Sequence, residues 1–162
     1  MLQQHSFSYS HLAPYTQWEL FSSECKKLWR LFLDRGKPVQ VTRLGVRNIN
    51  RLKLPPGDIE LSEYLNFAPD FPGVFGTVGD VLMRIRGPQL AVGPGGRAIV
   101  TLASEHSEAK DHQPVVLDID IIVESRWSPD EVALWDQLER LRERKNELFE
   151  ACITDATRKL FA

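Results

Sequence analysis

The chain has 162 residues, 43% hydrophobic and 26% charged, ordinary values for one packed globular domain spanning residues 1–162. A formal charge of −2 and a pI near 6.1 argue against a protein built mainly to hold nucleic acid, so nucleic acid is not an expected partner. No apolar run approaches the ~18 residues of a membrane span, and no basic segment leads into an apolar run at the start. Neither an anchor nor a signal peptide is therefore expected, and the cytoplasm is the expected compartment.

Phe7 and Tyr9 alternate with Ser6, Ser8 and Ser10, the pattern of a short strand. Pro14 and Thr16 open a helix, with Thr16 and Glu19 at capping-box spacing. Trp18, Phe21, Cys25, Leu28, Trp29 and Phe32 recur at steps of three and four and form its apolar stripe. Gly36 is expected to take the left-handed cap, and Pro38 to end the helix. A long strand is expected over residues 39–52. Its apolar phase shifts from Val39 and Val41 to Leu44 and Val46, so a bulge is expected at Gly45.

Pro55, Pro56 and Gly57 stop that strand, and residues 57–77 read as an irregular connection with a helical turn at 61–65. Strands over 78–86 and 97–105 flank a glycine-rich hairpin connection, and a polar loop covers 104–113. Val115, Leu117, Ile119, Ile121 and Val123 then alternate with Asp118, Asp120 and Glu124, a strand with one apolar and one acidic face. Ser128, Pro129 and Glu131 carry the cap, first-position and capping-box signals of a last helix. Unbroken, that helix would run about 48 Å at 1.5 Å per residue. That exceeds a small domain's sheet, so the helix either kinks near Thr154 and Asp155 or packs its end on a partner.

These elements make an α+β fold: an antiparallel sheet of four to five strands, an N-terminal amphipathic helix, and a long C-terminal helix packed on one face. The order is analogous to helix-grip domains, in which a curved sheet wraps a long helix. A flatter sheet carrying both helices on one face is the alternative.

The most informative chemistry is charge on the strands. Arg43, Arg47 and Arg51 share side-chain parity, as do Asp118, Asp120 and Glu124. As a site, these residues would grip phosphate or carboxylate through arginine forks, which makes Arg43, Arg47, Arg51, Asp118 and Asp120 the candidate ligand-binding set. The blander reading is a solvated face with cross-strand pairs of roughly 0.2–1 kcal/mol each, and it carries more weight because the acids match the arginines in number.

Asp118 and Asp120, near His106 and His112, match no metal-ligand spacing, so no metal is assigned. The Gly93–Gly96 run leads into a strand and reads as a turn, because a phosphate loop leads into a helix N-terminus. With no G-x-S-x-G turn, and with Cys25 and Cys152 on apolar helix sides as reduced thiols, no catalytic residue or cofactor is assigned. Arg140, Arg142, Arg144 and Lys145 interleave with Glu139, Glu143 and Glu147 as a solvated helix face.

Three stretches carry a family resemblance: residues 12–18, residues 41–51 (VTRLGVRNINR) and residues 144–155 (RKNELFEACITD). The chain resembles a sporadically distributed family of uncharacterised bacterial and archaeal proteins with TRLGLRYINRI-like and KNxxFEACITD-like segments. Members of that family are usually longer, with strands upstream of about Phe7, so the resemblance implies a shortened member with an exposed sheet edge. Such an edge implies a homodimer or a partner strand. The family implies no activity, and its scattered occurrence implies defence or mobile-element neighbourhoods. Two functions follow as expectations. The first is a non-enzymatic protein-interaction or regulatory module, antitoxin-like, acting through the sheet edge or the C-terminal helix. The second is an anionic-ligand binder or enzyme with a pocket between sheet and C-terminal helix, its polar side lined by Arg43, Arg47 and Asp118.

Overall fold

The computed structural model describes residues 2–3, 6–12, 17–69, 80–87, 94–105, 111–130 and 132–161. In chain order the elements are β1 (Leu2–Gln3), β2 (Ser6–Phe7), α1 (Trp18–Gly36), β3 (Val41–Leu54), α2 (Leu61–Tyr64), β4 (Leu82–Arg86), β5 (Arg97–Ser104), β6 (Gln113–Trp127), α3 (Val132–Cys152) and α4 (Asp155–Lys159). β1 and β2 pair with each other. The remaining four strands form one antiparallel sheet in the order β3-β6-β5-β4, and the architecture is α+β.

Period-two alternation sorts the sheet into two faces. Leu44, Leu52 and Leu54 of β3, the odd-numbered residues from Val115 to Val123 on β6, and Ala98 and Leu102 of β5 are buried on one of them. Against that face lies α3, packed on β6 and β3, with Leu134 and Leu141 buried and Trp135, Leu138, Leu148 and Phe149 half-buried beside them. α1 joins the same side through an aromatic cluster: Trp29 meets Phe7 at 5.3 Å and Phe32 at 5.3 Å between ring centres. It is tied to α3 and its approach by Trp18 Nε1 donating to Glu139 Oε2 (2.6 Å) and Trp29 Nε1 donating to Pro129 O (3.0 Å). Both indole N–H groups thus find acceptors while their rings add to the core.

Several local expectations change in the structure. Gln17 holds the N-cap position of α1 without a side-chain cap, and Thr16 lies outside the described residues. The left-handed C-cap residue is Lys37 (φ 41°), one past Gly36, and its N–H closes the helix on Leu33 O. The register of β3 shifts between Val41 and Arg43 and runs unbroken across Gly45, so the bulge precedes the arginines. Val39 stands outside the strand, 94% exposed. The extra residue belongs to β6, where residues 125 and 126 face residue 42 alone, so the irregularity falls at the entry of β3 and leaves the ladder past Arg43 intact. Of the proposed hairpin connection, Gly95 is described (φ 77°), and a Cβ there would meet Glu124 O at 2.6 Å, so only glycine fits.

The last helix stops at Cys152. Thr154 caps the separate α4, its Oγ1 accepting from Thr157 N at 3.5 Å, with Asp155 in the first turn and Arg158 and Lys159 in the last. Segment 63–66 is what holds this break. Asn66 Nδ2 donates to Ala151 O (3.0 Å) and Ile153 O (2.9 Å), and Asn66 N donates to Cys152 O (2.9 Å). Thr154 Oγ1 donates to Glu63 O (2.6 Å), and the fully buried Thr157 donates to Tyr64 O (2.5 Å). The last carbonyls of α3 are orphans by geometry, and Asn66 satisfies three acceptors at that break.

Candidate functional site

The opposite face of the sheet has no described element over it. β3 contributes Arg43, Gly45, Arg47, Ile49, Arg51 and Lys53 to it, all exposed. Val116, Asp118, Asp120, Ile122 and Glu124 come from β6, Arg97, Ile99, Thr101 and Ala103 from β5, and Leu82, Arg84 and Arg86 from β4. All five predicted ligand-binding residues therefore share this one face, brought together because β3 and β6 are hydrogen-bonded neighbours with no register slip between Arg43 and Leu54.

The charges pair incompletely. Arg47 stands opposite Asp120 in the register but forks onto Asp118 diagonally, Nε to Oδ1 at 2.8 Å and Nη2 to Oδ2 at 2.6 Å. This bidentate geometry holds the Arg47 guanidinium more firmly charged than usual, through its hydrogen bonds to Asp118. Arg51 reaches Glu105 at 2.6 Å, and Arg97 reaches Glu124 at 2.7 Å. Arg43, Lys53, Arg84 and Arg86 close no salt bridge or side-chain hydrogen bond with any described residue. Including Glu105 just past β5, the face carries seven cationic side chains against four carboxylates. The expected numerical balance of acids and arginines fails because β4 adds Arg84 and Arg86, which strand order alone brings alongside.

Asp120 lies at the centre. Its register neighbours are Arg47 and the buried Ile99, and Ile122, also buried, follows on the same face. Its carboxylate accepts no hydrogen bond from a described residue. Burial pushes its pKa above the ordinary carboxylate value, with Asp118 adding to the rise while Arg43, Arg47 and Arg84 oppose it. Gly45 leaves the approach open, since a Cβ there would come within 3.8 Å of Asp120 Oδ1. What this arrangement can do chemically is bind anions: several guanidiniums unengaged in pairs stand around one half-buried acid.

A pocket between the sheet and the C-terminal helix lined by Arg43, Arg47 and Asp118 does not form. α3 packs on the even-numbered side of β3 and the odd-numbered side of β6, and those three residues point the other way, through the thickness of the sheet. For the same reason the polar residues of 144–155 build no network with the strand arginines. Arg158 instead bonds Glu150 (3.0 Å) and Asp155 (2.7 Å) at the helix break. Open grooves of about 370 and 480 Å³ run beside α1, the larger lined by Trp29, Trp135 and Val132 with Lys26, Arg30, Asp130 and Asp136 balancing in charge. Among the described residues no cluster of His, Cys, Asp or Glu could hold a metal ion, and His106 lies outside them. Burial lifts the Cys25 and Cys152 thiols to about 11, so neither is a thiolate near neutrality. No described helix is long and apolar enough to cross a membrane.

Sequence parity alone located Arg43, Arg47 and Arg51. Arg84, Arg86 and Arg97 were missed; the signal that could have found them is their even or odd spacing within short strands whose neighbours were unknown. No family model, no curated protein and no solved structure matches this chain.

Proposed function

We propose that this chain is a non-enzymatic protein-interaction module of regulatory type that receives an anionic partner on the arginine-bearing face of its sheet. One observation carries the reading: on a chain of net charge −2, one sheet face gathers an excess of cations, and Arg43, Arg84 and Arg86 there close no salt bridge with a described carboxylate. Charge kept out of salt bridges favours a partner of opposite sign. Two free cysteines held as thiols suit a reducing cytoplasm.

The test is binding of labelled poly-glutamate, with poly-lysine as control, to the chain and to a variant carrying Arg43→Gln and Arg84→Gln. Saturable, salt-sensitive binding of poly-glutamate that the variant loses is the expected result, and equal binding by the variant would sink the reading. A small anion is the second reading, favoured by Arg43 and Arg84 both acting on Asp120. A rise in melting temperature with millimolar phosphate or citrate, absent in the same variant, would select it.

A further inference from the structure

We infer that the free edge of β3 receives an extended segment of another protein in which acidic and apolar residues alternate, added to the sheet as a further strand. This rests on the reading of the sheet face as the surface for an anionic partner, and it names that partner's chemistry and mode of docking. Three observations lead to it.

First, β3 runs for 14 residues, pairs with β6 alone, and makes no other backbone hydrogen bond to a described residue. A long edge with unpaired N–H and C=O groups is a template for another strand. Second, that edge is selective. Arg43, Arg47 and Arg51 are exposed along one side of it, while the buried Leu44 and Leu52, with Val46, Asn48 and Asn50 between them, line the other. A second copy pairing antiparallel about Arg47 would set Arg43 against Arg51 and Arg47 against itself, and like charges directly opposed are unfavourable. The arginines thus disfavour that register and attract acids.

Third, the molecule already contains a strand that fits β3. β6 places Glu124 opposite Arg43 and Asp120 opposite Arg47, with Val123, Ile121 and Ile119 on the apolar side. The outer edge of β3 offers the same exposed arginines and its free backbone groups to a strand on its other flank, with Val46 half-buried on the opposite side. Nucleic acid is the poorer occupant: the open-face positions of β3, β4, β5 and β6 include no aromatic residue on which a base could stack.

The probe is a fluorescent ten-residue peptide with the sequence of residues 115–124, titrated with the full chain by anisotropy. Two relatives accompany it: one with its three acids replaced by Asn, Asn and Gln, and one keeping the acids but N-methylated at alternate amides. The chain is also tested as Arg43→Gln with Arg51→Gln, after its urea midpoint is shown to match the parent. Saturable binding of the unmodified peptide is expected, weakened at least tenfold by neutralisation, by N-methylation and by the double variant. If the N-methylated acidic peptide binds as well as the unmodified one, the edge inference is overturned while the anionic-partner reading stands. If no acidic peptide binds, or a single-stranded oligonucleotide binds more tightly at the same salt, both are overturned.

Discussion

At Asp120 a carboxylate is held half-buried beside Ile99 and Ile122 with no hydrogen-bond donor among the described residues, although Arg43, Arg47 and Arg84 act on it. Its raised pKa means that the folded state prefers the protonated acid. The stability tied to it is fully present below the ordinary carboxylate range and is lost as pH rises through the folded value. Asp120→Asn should therefore raise the urea midpoint at neutral pH, and the advantage should vanish below the ordinary carboxylate range. An unchanged midpoint at neutral pH would show that the nearby guanidiniums fully offset the burial. An acid retained at such a cost fits a role in orienting Arg43, Arg47 and Arg84 toward a partner.

Among the elements, the break between α3 and α4 shows how a short polar segment ends a long helix. Segment 63–66 supplies acceptors to Thr154 and Thr157 and donors to the carbonyls of residues 151–153. Thr157 is fully buried, so Thr157→Val keeps its shape but leaves Tyr64 O without that donor. Tyr64 O keeps its second donor, Thr154 N at 3.1 Å, so chemical denaturation should register a loss of about 0.5–1.5 kcal/mol, the net contribution of one hydrogen bond. A loss near zero would mean that another donor takes its place. The stop at Thr154 and Asp155 was legible in the sequence because a cap residue followed by an acid carries its own local signal. Its anchor at Asn66 was not legible, since those groups lie some 85 residues apart and meet only when α2 docks.

For the molecule as a whole, the helix-covered core and the row of strand arginines sit on opposite sides of one sheet. The helix side is apolar and sealed, with Leu141 fully buried, so Leu141→Ala should cost about 2–5 kcal/mol. On the other side Arg51 meets Glu105 in an exposed pair, so Arg51→Gln should cost less than about 1 kcal/mol. Urea denaturation of the two variants together is the check, and comparable losses would mean that the open face is part of the core. This division leaves the arginine face free to change without unfolding the protein.

The helices, the alternating strand at 115–124 and the shared parity of Arg43, Arg47 and Arg51 were determined by the sequence alone, because each is a periodicity read within one segment. The place of the bulge, the arrival of Arg84 and Arg86 beside Asp120, and the separation of the arginines from α3 were decided only by the tertiary structure. Those depend on which strands become neighbours and which side the helices cover, and parity within a strand does not say to which side of the sheet a row of side chains will turn.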